Sequence, residues 1–331
     1  MKPFYAAACQ TDFPAARSRN EISIRVDRMC EIVEQTIIGY EPFFDIRLLA
    51  FPEFAHAIPL YDNVKELNEK LAVEIPNEHT ERYIALARQF GCFIQTGSFL
   101  EYDKAYPGHI FNTTLLIGPK GILTKYRKVN PWIPWEVHSS PHDIPDYSEE
   151  IFPVADTELG KIAVATCYDW LFPETIREMA FRGAEIMIRI SAYMDPWGTS
   201  EPMNWWTLIN RTRALENMTY VVASNQGAKM SNYPPFSWPG GSMIVDYDGR
   251  ILSQADPGPG EKVVVAPINI QALRDEKARR LGHDTITHSR SGLYTYLSSE
   301  SLEPAKGDIT IESLKKRILY AKEKNSQKKT D

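Results

Sequence analysis

The sequence has few cysteines, no long apolar segment and no excess of basic charge, and each absence argues against a class of protein. Four cysteines are scattered over 331 residues without a C-x-x-C pair, which indicates reduced thiols and no disulfide framework. No window approaches the ~20 apolar residues of a membrane-spanning helix. A net charge of -6 at pH 7 argues against a nucleic-acid-binding surface.

The amino-terminal segment also argues against secretion. It carries one positive charge, Lys2, and an apolar run too short for a signal peptide. Together with the reduced thiols, this predicts a cytoplasmic protein that binds neither membrane nor nucleic acid. Hydrophobic residues make up 43% of the chain and charged residues 24%, as in ordinary globular proteins.

Strand-like and helix-like segments alternate in an order that occurs twice. Residues 4–10 form an apolar strand, and the apolar residues that follow recur at helical spacing. The order strand–helix–strand–helix–strand–strand runs to residue 127 and recurs from residue 161, where Asp248-Gly249 is typical of a hairpin. We predict one α/β domain of two similar halves, with two sheets covered by helices.

Residues 129–157, between the two halves, show no regular pattern. This stretch contains two tryptophans, Trp132 and Trp135, and several prolines: Pro131, Pro134, Pro141, Pro145 and Pro153. It is too long and too aromatic for an ordinary connection, which favours a functional loop. The alternative is an Ω-like excursion over the surface.

The carboxyl-terminal segment differs from the rest. From about residue 301 the only pattern is a narrow apolar stripe formed by Ile311, Leu314, Ile318 and Ala321. We therefore expect a domain at 1–300 and a helical extension at 301–331. This extension packs on the domain or on a partner subunit.

Three residues with complementary chemistry follow or end predicted strands. Glu53 follows the second strand, Lys128 ends the strand before the long loop, and Cys167 ends the strand after it. Strand ends at one sheet edge converge on one crevice. There a carboxylate accepts the thiol proton, the thiolate attacks a carbonyl carbon, and the ammonium stabilises the oxyanion.

The segment after Cys167 supports this interpretation, because Pro173 opens a helical pattern a few residues later. Backbone N–H groups and a positive helix end favour a lowered thiol pKa. Read singly, each residue has another explanation: a packing cysteine, a helix-leading carboxylate or a surface lysine.

The spacing of two histidines is typical of a metal site, but the residue between them argues against one. His138 and His142 are four positions apart, like helical metal ligands, but Pro141 between them breaks a helix. We expect no metal and no other cofactor.

Three ordered motifs resemble those of the nitrilase, or carbon–nitrogen hydrolase, superfamily. They are Phe51-Pro52-Glu53, Lys125-Tyr126-Arg127-Lys128 and Thr166-Cys167-Tyr168-Asp169. The resemblance implies a four-layer α-β-β-α sandwich of two pseudo-equivalent halves, and a homodimer or higher homo-oligomer. It implies Glu53 as general base and Cys167 as nucleophile. The oxyanion would be held by Lys128 and the backbone N–H of Tyr168.

The long loop is similar to that of aliphatic amidases and formamidases. This resemblance implies that Trp132 lines a small acyl pocket and that Glu136 is a second glutamate beside the triad. The segment from Arg189 to Tyr193 likewise resembles one that places a tyrosine in the pocket, here Tyr193. Two segments look more like the carbamoylase and general amidase branches: Glu216-Asn217 and Gly240-Gly241-Ser242.

We predict an amidohydrolase that cleaves a small amide, such as formamide or a short aliphatic amide, to a carboxylic acid and ammonia. The reaction uses a cysteine thioester and water. One alternative is hydrolysis of an N-carbamoyl compound, which also releases carbon dioxide. A non-catalytic interaction protein on the same scaffold is another, although the complete Glu-Lys-Cys set argues against it.

Overall fold

Two packed β-sheets form the centre of the molecule. The computed structural model describes residues 2–12, 16–228, 238–298 and 302–327. Within these ranges it contains two six-stranded sheets and seven α-helices, arranged as the expected α-β-β-α sandwich. No helix there is long and apolar enough to cross a membrane.

The first sheet carries the strands of the first half and one strand from the end of the domain. Its members are β1 (Phe4–Gln10), β2 (Ile46–Ala50), β3 (Phe93–Tyr102), β4 (Ile110–Gly118), β5 (Gly121–Arg127) and β12 (Lys262–Ile268). They lie in the order β12-β1-β2-β3-β4-β5. β1, β2 and β3 are parallel, and β12 pairs antiparallel with β1.

The second sheet repeats the arrangement. Its members are β6 (Val154–Thr157), β7 (Gly160–Thr166), β8 (Ile186–Ser191), β9 (Tyr220–Asn225), β10 (Met243–Val245) and β11 (Ile251–Gln254). They lie in the order β11-β10-β9-β8-β7-β6, with β7, β8 and β9 parallel. The expected hairpin joins β10 to β11. β6 lies in the stretch for which no regular pattern was expected, so that expectation was wrong for its last four residues.

The helices follow the sequence signals closely. They are α1 (Arg19–Tyr40), α2 (Val64–Lys70), α3 (Glu78–Phe90), α4 (Pro173–Phe181), α5 (Trp205–Asn217), α6 (Ile270–Arg279) and α7 (Ile311–Gln327). Asn77 caps α3 by accepting from the Thr80 backbone N–H, while the Thr80 hydroxyl accepts from the Asn77 N–H. Gly91 ends α3 in the left-handed conformation.

Alternating side chains of β1 show how the layers pack. Ala6 and Ala8 belong to the core cluster that contains the second sheet, whereas Ala7 and Cys9 pack in the cluster that contains α1 and α3. This period of two is expected for a strand buried on both faces. Cys9 is thus a packing residue.

α7 lies against the long loop between the halves. Leu314 is buried, and the Arg317 guanidinium donates to Asp143 at 2.9 Å. Residues 301 and 328–331 of the predicted extension lie outside the described ranges.

Arg127, the last residue of β5, is anchored in a buried ionic cluster. Its guanidinium donates to both oxygens of Glu101 at 2.8 and 2.7 Å and to Glu149 at 2.7 Å. The guanidinium carbon also lies 4.1 Å from the centroid of the Phe111 ring. This anchor fixes the end of β5. Because side chains alternate along an extended chain, the next one, Lys128, points to the opposite face of the sheet.

Replacing Arg127 therefore tests how strongly the end of β5 is held. In Arg127→Leu, Glu101 stays buried without its bidentate partner, and we expect the free energy of unfolding to fall by roughly 3–5 kcal/mol. Adding Glu101→Gln should recover part of the loss. Arg182→Leu is the control, because Arg182 pairs with Glu178 and Glu150 in exposed positions. This substitution should lower the free energy of unfolding by less than about 1 kcal/mol. Equal losses in chemical denaturation would contradict the anchoring role.

Candidate active site

Cys167 occupies a strained turn directly after β7. Its φ angle is +47°, in the left-handed region that non-glycine residues rarely adopt. The residues from Cys167 to Leu171 form a 3₁₀ turn, and α4 begins at Pro173. The turn lifts the cysteine out of the strand path and brings it to a cavity, while the side chain remains largely buried.

Asp169 holds this turn in place. Its carboxylate accepts from the Thr166 backbone N–H at 2.9 Å, the Tyr126 hydroxyl at 2.7 Å and the Asn130 backbone N–H at 2.8 Å. Burial raises the pKa of Asp169, and Lys128 and these donors oppose that shift. The carboxylate thus joins three segments: the cysteine turn, β5 and the start of the long loop.

Glu53 is fully buried and its two oxygens have fixed roles. Oε1 accepts from the Lys128 ammonium and from the Asn112 side-chain amide, both at 2.8 Å. Oε2 accepts from the Ala192 backbone N–H at 3.0 Å. Donors from both sheets therefore set the orientation of this carboxylate.

Lys128 lies between two carboxylates with no solvent exposure. Besides Glu53, its ammonium donates to both oxygens of Glu136, at 2.9 and 2.8 Å. Burial alone would lower the pKa of Lys128, but Glu136 and Glu53 outweigh burial and raise it above its usual range. The ammonium is therefore charged at every physiological pH.

Glu136 is fixed by the loop that carries it. The Trp132 backbone N–H donates to Oε2 at 2.7 Å, and His138 Nε2 lies 3.2 Å from the same oxygen. Burial would raise the pKa of Glu136, but Lys128 and His138 lower it to about 2. His138, which sequence reasoning considered only beside His142, is thus a neighbour of this carboxylate.

The thiol itself is not activated at rest. Burial raises the pKa of Cys167 to about 12, Glu53 adds to the effect, and Lys128 opposes it. A helix end can lower a thiol pKa, but burial raises the pKa of this thiol. The nucleophile needs a base to remove its proton as it attacks.

A cavity of about 650 Å³ brings the reactive groups together. Glu53, Glu136 and Cys167 line it, and the buried Lys128 ammonium is bonded to both of these carboxylates. All three residues expected to bind substrate also line this cavity: Trp132, Tyr168 and Tyr193. The arrangement offers a nucleophile, a base, a fixed cation and a space for a ligand.

Several residues that shape the site gave only weak sequence signals. Asn112 is a polar residue inside an apolar strand, and Arg189 is a charged residue inside another. Arg189 is fully buried, donates to the Asn210 side-chain carbonyl at 2.9 Å and lies 4.4 Å from the Trp206 ring centroid. Burial lowers its pKa to about 10. Polar residues inside apolar strands were the available signal.

Metal ligands do not cluster in the part of the chain that the structure describes. There, no group of three or more histidine, cysteine, aspartate or glutamate side chains could hold a metal ion.

Comparison with known proteins agrees with this geometry. The family model described as Carbon-nitrogen hydrolase matches residues 6–278. A formamidase of Bacillus cereus (strain Q1) is 30% identical over 266 residues, which cover 78% of this chain and 72% of the relative.

Solved structures share the fold. Nit3 of Saccharomyces cerevisiae, a member of branch 10 of the nitrilase superfamily, is 24% identical with a TM-score of 0.68, covering 85% of this chain and 96% of its own. An amidase of Nesterenkonia sp. AN1 holds the acetamide moiety of fluoroacetamide covalently at its active-site cysteine. It is 19% identical with a TM-score of 0.62, covering 88% of this chain and 95% of its own.

The match to the family model includes strands of both sheets and the four residues of the candidate site: Glu53, Lys128, Glu136 and Cys167. The chain belongs to the carbon–nitrogen hydrolase family.

Proposed function

We propose that the protein is an amidase that hydrolyses a primary amide to a carboxylic acid and ammonia through a cysteine thioester. The observation that carries this proposal is the position of the Lys128 ammonium. It is bonded to both Glu53 and Glu136, and those two carboxylates line the same cavity as Cys167.

Acylation begins with attack of the Cys167 sulfur on the amide carbonyl carbon. The thiol proton passes to Glu53, which removes the need for a preformed thiolate. Negative charge develops on the carbonyl oxygen, where the Lys128 ammonium and the Tyr168 backbone N–H stabilise it. Glu53 then returns the proton to the amide nitrogen, the C–N bond breaks, and ammonia leaves.

Deacylation uses the same groups. Glu53 takes a proton from a water molecule, and the hydroxide attacks the thioester carbon. The second oxyanion forms at the same place beside Lys128. Collapse of the intermediate breaks the C–S bond, the sulfur regains the proton from Glu53, and the carboxylic acid departs.

Glu136 gives Lys128 a counter-charge that does not take part in proton transfer. Its pKa of about 2 keeps it ionised, so Lys128 stays charged when Glu53 is protonated during the reaction. His138 and the Trp132 N–H hold Glu136 in position.

Formamide and short aliphatic amides are the first substrates to test. The curated relative is called a formamidase, and the loop carrying Trp132 and Glu136 resembles that branch. Measuring carbon dioxide beside ammonia distinguishes them from N-carbamoyl compounds, because only the latter release both.

Replacing the nucleophile gives the most direct test. Cys167→Ala should abolish ammonia release, because no thioester can form, while circular dichroism and thermal unfolding stay close to those of the parent. Cys30→Ala is the matched control, since Cys30 is half-buried on α1 and should keep full activity. Turnover by Cys167→Ala at the parent rate would refute the assignment.

Replacing the cation separates stability from catalysis. Lys128→Met leaves two buried carboxylates without their partner, so the free energy of unfolding should fall by roughly 3–5 kcal/mol. The transition state should lose about 3–4 kcal/mol, typical of one oxyanion donor. Adding Glu136→Gln should restore part of the stability but none of the rate. A decrease in kcat below tenfold would make Lys128 a structural residue only.

The protonated resting thiol predicts an unusual alkylation profile. Because the pKa of Cys167 is raised to about 12, its thiolate fraction grows about tenfold per pH unit well beyond the ordinary thiol value of about 8.5. Labelling by 2-bromoethanol, a neutral alkylating agent, followed at the Cys167 peptide by mass spectrometry, should therefore rise from about pH 7 to 10 without a plateau. For N-acetylcysteine, treated in parallel, the rise should level off once the pH exceeds the pKa of its own thiol. A plateau below about pH 9 for Cys167 would contradict a thiol that is neutral at rest.

A further inference from the structure

The cavity at Cys167 is much larger than the smallest amides require. Its volume is about 650 Å³, in the middle of the roughly 300–1,000 Å³ range of cavities that enclose drug-sized ligands. Formamide would contact only the part beside Cys167 and would leave the remainder filled with water. The volume therefore calls for a substrate with a second, larger group.

The walls of this cavity are aromatic to an unusual degree. Five of the chain's seven tryptophans line it. They come from separate segments: Trp132 and Trp135 from the long loop, Trp197 and Trp205 from the region before and at the start of α5, and Trp238 from the segment before β10. Flat apolar faces from several directions enclose an aromatic ring more favourably than they enclose a small polar amide.

Three of these tryptophans are exposed, and the other two, Trp132 and Trp238, are half-buried. The exposed fraction is 57% for Trp135 and 38% for both Trp197 and Trp205. The remaining two tryptophans of the chain, Trp170 and Trp206, are fully buried. Exposed tryptophans that all line one cavity mark a surface that an apolar ligand covers.

The described lining residues offer no partner to an anionic second group. Among the described lining residues, only Glu53 and Glu136 are charged, and both are bonded to Lys128. No lining arginine, lysine or histidine in the described ranges could pair with a substrate carboxylate. A carboxylate here would lose its hydration without a partner.

We propose that the substrate of this amidase is a neutral amide carrying an aryl or similarly extended apolar group, which lies between the tryptophans while the amide lies at Cys167. This inference rests on the proposed amidase function and narrows its substrate class from the smallest amides to arylalkyl amides.

A substrate series on the unmodified protein tests the inference. Formamide, acetamide, hexanamide, phenylacetamide and 3-phenylpropionamide are compared by ammonia release. A single methylene in a hydrophobic pocket changes kcat/KM by roughly 10–200-fold, so phenylacetamide should exceed acetamide by about 100-fold or more. A preference for the two aryl amides supports the inference.

Each other outcome has a defined meaning. Equal or better kcat/KM for formamide and acetamide overturns the inference and leaves the amidase function intact. Preference for an amide with a trimethylammonium or carboxylate group over its neutral analogue of similar size also overturns it. Absence of ammonia release from all of these amides rejects the amidase function itself.

Variants of the exposed tryptophans provide an independent readout. Trp197→Ala and Trp205→Ala should lower the ratio of kcat/KM for phenylacetamide to that for acetamide by about tenfold or more. Phe181→Ala is the matched control, because Phe181 is exposed on α4 and does not line the cavity; its ratio should not change. Trp197→Leu keeps an apolar side chain, so its ratio of kcat/KM for the two amides should lie between the ratios of the parent and of Trp197→Ala. An unchanged ratio in both alanine variants overturns the inference.

Discussion

The site depends on one buried cation held between two buried carboxylates. Lys128 has no contact with solvent, and its ammonium has Glu53 on one side and Glu136 on the other. Such a cluster is stable only when each remaining lone pair has a donor. Asn112 and the Ala192 N–H supply donors to Glu53, and the Trp132 N–H supplies one to Glu136. The neighbouring strands and loops are arranged to provide those donors.

The two halves of the domain cannot form this cluster separately. Glu53 and Lys128 follow strands of the first sheet, whereas Cys167 and Ala192 follow strands of the second. Asp169 connects them, since its carboxylate accepts from Tyr126 in β5 and from Thr166 in β7. The cavity therefore exists only in the packed sandwich. The distances between its reactive groups depend on how closely one sheet packs on the other.

The sequence predicted the parts of this structure that local chemistry determines. Alternation and turn residues located the helices and most strands, and Asn77 and Pro173 marked helix starts correctly. β6 was missed, because four residues without alternation carry too little pattern. Asn112, His138 and Arg189 were not recognised as parts of the site. Their roles come from neighbours distant in sequence, which no local pattern encodes.

The pKa of the Cys167 thiol shows the same limit of local reasoning. A helix start near a cysteine can lower the pKa, but burial, which is a property of the complete fold, raises it here.

The pairing of β12 with β1 has a consequence for folding during translation. β1 leaves the exit tunnel long before its antiparallel neighbour β12, which lies far later in the chain. Until that partner emerges, β1 has an unpaired edge with free backbone donors and acceptors. Such edges promote aggregation. The first sheet, which positions Glu53 and Lys128, is therefore completed only after β12 has been synthesised.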